Sequence, residues 1–225
     1  MCGRFAQRTS PKTLAKQFQV KEVPNIEARY NIAPTQNILA VQETPDGREM
    51  KWLKWGLVPS WAKDASMGAR LINARSETVT EKPAFREAFK HRRCLIPSDG
   101  FYEWQCTDGK KQPFFFQLKD EQPFGFAGLW DRWTSEDGKV IESCTILTTT
   151  ANKVLAPVHD RMPVIVHPED YELWLDEDVR KHELLKDVLQ PYPADEMTSY
   201  PVSTSINNPR EQGARLIERA EINSA

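Results

Sequence analysis

The chain has 225 residues, a mass of 25.9 kDa, 40% hydrophobic residues, a mean hydropathy of −0.59 and 7 Trp, which excludes a disordered polymer and suffices for one sizeable core. A formal net charge of −2 excludes a histone-like polycation. Yet residues 1–100 hold 17 Lys/Arg against 10 Asp/Glu, a net of +7, and residues 101–225 hold 13 against 22, a net of −9; the split reads either as a basic region for an anionic partner or as uneven surface charge.

In chain order, Ser10-Pro11 reads as an N-cap followed by Pro at the first helical position, with Leu14 and Phe18 at helical spacing. Residues 36–42 read as a strand, Pro45-Asp46-Gly47 as a turn, and Met50 to Leu57 as a second strand-like run. Leu71-Ile72 is a short apolar strand feeding Asn73-Ala74-Arg75. Residues 83–90 form a short helix with Phe85 and Phe89 on one face. Strands follow at 94–97, 101–104, 113–118, 124–130 and 140–149, with Asp108-Gly109 and Asp137-Gly138 as hairpin turns. Residues 152–156 make a helical turn, 164–166 another strand, and 168–190 a helix rich in acids. Its acidic run reads as a solvated face. Many antiparallel strands with peripheral helices predict a single-domain α+β fold with a mainly antiparallel, barrel-like sheet.

The four cysteines, Cys2, Cys94, Cys106 and Cys144, include no C-x-x-C pair, and no Cys/His cluster is visible, so no metal or other cofactor is expected. The start has no apolar run that would serve as a signal peptide, and the longest wholly non-polar stretch, 124–130, is too short to span a bilayer. A cytoplasmic monomer without membrane contact is the expectation.

Cys2 is the most informative position. Removal of Met1 leaves its thiol beside a free α-amine, whose ordinary pKa of about 7.7–8.0 keeps a useful neutral fraction at pH 7. Such a 1,2-aminothiol condenses with an aldehyde to an imine, and the thiol then closes a five-membered thiazolidine. Alternatively, the thiol attacks an amide with the amine as base, as in N-terminal nucleophile hydrolases.

Six segments stand in order: Met-Cys-Gly-Arg-Phe at the start, Tyr-Asn-Ile-Ala-Pro at 30–34, Trp-Gly-Leu-Val-Pro at 55–59, Ile-Asn-Ala-Arg-Ser-Glu-Thr at 72–78, Asp-Gly-Phe-Tyr-Glu-Trp at 99–104 and His-Asp-Arg-Met-Pro at 159–163. Together, over residues 2–216, they closely resemble the SOS-response-associated peptidase family, also called abasic-site processing proteins. The resemblance implies a single domain that binds single-stranded DNA containing abasic sites and captures the sugar aldehyde as a thiazolidine, shielding the site from strand cleavage.

By chemistry, Asn73 offers an amide to sugar hydroxyls or to the Cys2 amine, or stabilises a turn. Glu103, between two aromatics, suits proton transfer if desolvation raises its pKa, or marks the polar face of a strand. His159 titrates near neutrality and suits a proton shuttle. The resemblance assigns Cys2, Asn73, Glu103 and His159 to the active site. It makes Arg4 and Arg75 DNA contacts, and Thr148 a position near the site. Arg161 either touches phosphate or pairs with Asp160. Pro34, Trp55, Trp61 and Trp104 add apolar surface, and Trp61 is the one placed to meet DNA, although Ala62 follows it where some relatives carry a second Trp. An imine also permits lyase chemistry and self-reversal, and the family name records a proposal that such proteins remove their own Met1 as peptidases. Two rival readings remain: an amidotransferase-like hydrolase using Cys2, against which Arg4 stands, and a non-covalent single-stranded DNA-binding module.

Overall fold

A computed structural model describes residues 2–221; the expected loss of Met1 lies outside them. The first helix, α1 (Pro11–Phe18), forms as its sequence dictates. Ser10 Oγ accepts the Thr13 N–H at 3.3 Å, Pro11 opens the helix, Leu14 and Phe18 are buried, and Gln19 ends it in the left-handed region.

Thirteen strands are described: β1 (Phe5–Gln7), β2 (Arg29–Ile32), β3 (Asn37–Gln42), β4 (Glu49–Trp55), β5 (Asn73–Arg75), β6 (Arg93–Ser98), β7 (Gly100–Thr107), β8 (Lys110–Leu118), β9 (Phe124–Thr134), β10 (Val140–Thr150), β11 (Arg161–Pro163), β12 (Ile165–Val166) and β13 (Met197–Pro201). They make two sheets. In the larger, the order β10-β4-β3-β6-β9 closes on itself because β9 also pairs with β10. The closing contact, β10 beside β4, is parallel (Ser143↔Lys54, Cys144↔Trp55), whereas the other pairs of the ring are antiparallel. Short β5 and β11 extend the far end of β10, one parallel and one antiparallel. The second sheet, β13-β8-β7-β1-β2, is wholly antiparallel. Its β7–β8 hairpin turns on Asp108-Gly109, both in the left-handed region as a two-residue turn requires.

Period-two alternation sorts the apolar side chains. Ile38, Ala40, Leu53, Trp55, Cys94, Ile96, Phe126, Cys144 and Ile146 pack with Cys2 and with Phe5, Phe101 and Phe116 of the second sheet. Their strand neighbours Leu39, Val41, Leu95, Ala127, Leu129 and Leu147 pack instead with Leu14 and Phe18 of α1, with Phe89 of α2 (Arg86–His91), and with Tyr171 and Trp174 of α3 (Tyr171–Leu175). The structure is thus a single α+β domain with a barrel-like ring, a further antiparallel sheet and few helices.

Three expectations need correction. Residues 168–190 are not one helix: a 3-10 turn (Pro168–Asp170), α3 and α4 (His182–Leu185) are separated by 176–181. The buried Arg93 guanidinium binds the carbonyls of Trp174 and Asp176, and Asp176 Oδ1 caps the Asp178 N–H, so this backbone bonds outside a helix. Leu71-Ile72 precedes the strand rather than forming it, since pairing with β10 begins at Asn73. The helix expected at 83–90 starts later, at Arg86, after a turn on the Lys82 carbonyl.

Candidate functional site

Cys2 leads directly into β1. Tyr102 N–H bonds to the Arg4 carbonyl at 3.0 Å and Phe5 faces Phe101, so the segment from Cys2 to Arg4 runs beside Tyr102 to Trp104 on β7. Asp99 fixes the other end of β1, accepting the N–H groups of Arg8 and Thr9 through Oδ2. Cys2 itself is 0% exposed. Burial first, and then the negative charge of Glu103, push its thiol far above the usual cysteine range. Glu103 is 3% exposed, and burial pushes its carboxyl up to about 7. The charge of Asp160 adds to that shift, which places the His159-Asp160 segment within electrostatic reach of Glu103. Gln105 Nε2 donates to the Pro157 carbonyl at 3.1 Å and anchors that loop to the end of β7.

His159 is held by its own chain. The Arg161 N–H donates to Nδ1 at 2.9 Å. Asp160 Oδ1 is also 3.0 Å from Nδ1, as in an ion pair. Burial lowers the pKa of this imidazole, and an N–H already points at Nδ1. The Arg161 N–H favours Nδ1 as an acceptor with the proton on Nε2, whereas Asp160 favours a proton on Nδ1, so these two neighbours oppose each other in setting the tautomer.

Asn73 opens β5 opposite Ile146, and its Nδ2 donates to the Ile146 carbonyl at 3.4 Å. Its Oδ1 is a buried acceptor with no hydrogen-bond donor among the described residues. Ile72, one residue earlier, accepts Trp55 Nε1–H through its carbonyl and packs in the same apolar cluster as Cys2 and Val158. The fold therefore brings the backbone of Cys2, Asn73, Glu103 and His159 around one cluster, from four separate segments.

The expected DNA contacts divide. Arg75 is exposed and Trp61 is 57% exposed. Trp61 projects from a pinned loop: Ser60 N–H bonds to Asp131 Oδ2 at 2.9 Å, and Trp133 Nε1–H bonds to the Ala62 carbonyl at 2.7 Å. Pro34 is half-buried. Arg4 is bound inside the protein, where its Nη1 donates to Asn31 Oδ1 at 2.6 Å and to the Ile206 carbonyl at 2.7 Å, and its guanidinium lies over Trp104. Thr148 is fully buried, with Oγ1 directed at the Ala74 carbonyl and at Arg161. Arg161 does not pair with Asp160: its fork grips both oxygens of Glu77, at 2.6 and 2.9 Å. The reason is reach, since Glu77 faces it across β10 while Asp160 turns to His159. Trp55 is core, edge-on to Phe5.

The sequence reading did not single out Asn31 or Glu77. Asn31 is fully buried, and its Nδ2 gathers the carbonyls of Ile206, Asn208 and Glu211. Both lie inside quoted motifs, but only partner geometry distinguishes them from their neighbours. A surface cleft of about 690 Å³ lies elsewhere, among Gln19, Glu43, Arg48, Glu172 and Asp176. Its acidic lining is the wrong sign for a polyanion. Among the described residues no three His, Cys, Asp or Glu side chains group as metal ligands, and no helix is long and apolar enough to cross a membrane.

Residues 1–209 match the family model described as SOS response associated peptidase. The chain is 41% identical over 222 residues to the abasic site processing protein YoqW of Bacillus subtilis, covering 97% of this chain and 99% of that one. It is 32% identical over 225 residues to the abasic site processing protein YedK of Escherichia coli, again covering 97% and 99%. A crystal structure of a Bacteroides thetaiotaomicron protein superposes with a TM-score of 0.86 at 25% identity, covering 98% of this chain and all of that one.

Proposed function

The chain belongs to the SOS response associated peptidase family, and from that premise we propose that it captures abasic sites in single-stranded DNA as a covalent adduct on Cys2. The observation that carries the reading is the pairing of a buried Cys2 with a Glu103 carboxyl that titrates near neutrality.

With Met1 removed, the α-amine of Cys2 adds to the C1′ aldehyde of the opened sugar. The carbinolamine loses water to give the imine, and a protonated Glu103 supplies the proton for that departure. The Cys2 thiol is held protonated by burial, so it adds across the C=N bond as S–H. Sulfur bonds to carbon, nitrogen gains the proton, and a thiazolidine results with loss of one water overall. Asn73 Oδ1 accepts a hydrogen bond from a sugar hydroxyl or from the amine. His159, neutral and protonated on Nε2, donates to the sugar oxygen as the ring opens. The same groups, run backwards, permit reversal, and β-elimination from the imine is a competing lyase route.

Intact-mass measurement after mixing with an abasic single-stranded oligonucleotide tests this. The expected species is protein lacking Met1 plus oligonucleotide minus one water, stable to denaturation. Absence of any such species, with Met1 verified as removed, overturns the proposal and leaves a non-covalent binder.

A further inference from the structure

Two of the four segments arranged around the apolar cluster that contains Cys2 are poorly supported by regular structure. Asn73 stands on β5, three residues long, paired among the described residues with β10 alone, and followed by a 3-10 turn at Ser76–Thr78. His159 stands in the loop between β10 and β11. A site that holds reacting groups to a fraction of an ångström needs these two pieces fixed relative to each other.

One side chain spans them. Arg161, the first residue of β11, is 12% exposed at its side chain. Its Nη1 and Nη2 donate to Glu77 Oε1 and Oε2 at 2.6 and 2.9 Å, and Nη2 also donates to the Thr148 carbonyl at 2.6 Å. Thr148 is the β10 partner of Arg75. The main-chain N–H of the same Arg161 donates to His159 Nδ1 and opposes Asp160 Oδ1, which lies 3.0 Å from that nitrogen and would draw a proton onto it. The guanidinium therefore ties the turn after Asn73 to β10, and the backbone of that same residue sets the imidazole. A two-pronged Arg–carboxylate contact fixes direction as well as distance, which a single ammonium contact does not.

We propose that Glu77 and Arg161 are positioning residues: their forked ion pair clamps the Asn73–Arg75 strand to the His159 loop and keeps the proton of His159 on Nε2. The rate consequence rests on the proposed function; the tautomer consequence does not.

The test uses the full chain with Glu77→Ala, Glu77→Gln and Arg161→Lys, each checked for folding by thermal melting. Ring nitrogen NMR of His159, assigned with His159→Asn, is read without DNA. The wild type is expected to show the Nε2–H tautomer and Glu77→Ala a mixture. Single-turnover adduct formation on an abasic oligonucleotide is expected to slow roughly tenfold or more in Glu77→Ala and Arg161→Lys. Affinity for an undamaged oligonucleotide should stay within about twofold in Glu77→Ala, as expected for a group that does not touch phosphate. Glu77→Gln, which keeps the shape but loses the charge, should fall between. The Glu77→Ala, Arg161→Lys double variant should be no slower than the worse single one, because the two act as a unit.

A folded Glu77→Ala with wild-type tautomer and wild-type rate overturns the clamp. So does tighter binding of undamaged DNA at an unchanged rate, which makes Glu77 a competitor for phosphate at Arg161. Should Glu77→Ala not fold, Glu77→Gln and Arg161→Lys carry the same readouts. If the wild type itself forms no adduct, the proposed function fails while the NMR comparison still decides the clamp.

Discussion

At the scale of single residues, Glu103 carries the clearest pH signature. Burial raises its pKa from 4.5 to about 7 in the folded chain. A carboxyl raised on folding binds its proton more tightly in the native state, so its favourable contribution is complete below about pH 4.5 and is lost as pH rises through about 7. Each pH unit in that window removes up to about 1.4 kcal/mol of stability. Glu103→Gln abolishes this loss. Its melting temperature should exceed that of the wild type at pH 8, and the gap should close towards pH 4; a gap independent of pH would show that the carboxylate is not desolvated as described. Adduct formation should respond in the opposite direction. Glu103→Gln keeps the shape but removes the proton donor, and a drop of about 10²-fold in rate with little change in affinity is expected. Equal losses in rate and binding would make Glu103 structural. Cys2→Ser keeps the amine, and hence reversible imine formation, but has no thiol to close the ring. Its adduct should be trapped by borohydride and otherwise dissociate.

At the scale of elements, the regular pieces were legible because their signals are local. Ser10-Pro11 with Leu14 and Phe18 specify α1, and alternation with turn dipeptides marks β7 to β10 within a few residues. The elements missed were short ones whose stability is tertiary. Strands β1, β2 and β13 hold three to five residues each and are defined by their partners, not by their own pattern. The candidate site divides in the same way. Cys2, Asn73, Glu103 and His159 stand out in sequence by chemistry and by motif, whereas Arg4 and Arg161 read as surface cations until Asn31 and Glu77 are seen to hold them. Another such element is the crossing of Gly56 and Gly68, which no local pattern announces. Gly56 sits at φ +124, and a Cβ at Gly68 would lie 2.6 Å from the Gly56 carbonyl oxygen and 2.9 Å from Val58 Cγ2. Both obstacles belong to the stretch that leads to Trp61. Gly68→Ala must therefore push the chains apart, at a cost of about 1–3 kcal/mol. A melting temperature lower by several degrees, together with weaker DNA binding, is the expected result; wild-type melting would mean the crossing relaxes freely.

At the scale of the whole molecule, the charge asymmetry is not a simple map of a binding face. Arg4 and Arg75 both lie in the basic first part of the chain, but only Arg75 is exposed, while Arg4 bonds to Asn31 and to the carbonyl of Ile206 near the opposite end of the sequence. The two arginines should separate cleanly. Arg75→Ala removes an exposed charge, available to phosphate, whose other electrostatic effect is on Glu77. Its melting temperature should match the wild type, its affinity for single-stranded DNA should fall, and the slope of log affinity against log salt should flatten by roughly 0.7, the value for one phosphate on a single strand. Arg4→Ala instead strips the bonds that hold residues 204–217 over β1 and β2 and unstacks Trp104. Leaving the buried Asn31 and Ile206 acceptors short of donors costs on the order of 1–3 kcal/mol, which in a chain of this length lowers the melting temperature by about 2–4 °C per kcal/mol. Its binding should weaken without loss of salt slope. If instead Arg4→Ala melts normally and flattens the salt dependence as Arg75→Ala does, Arg4 leaves its internal partners for phosphate when DNA arrives, and the C-terminal segment must move with it.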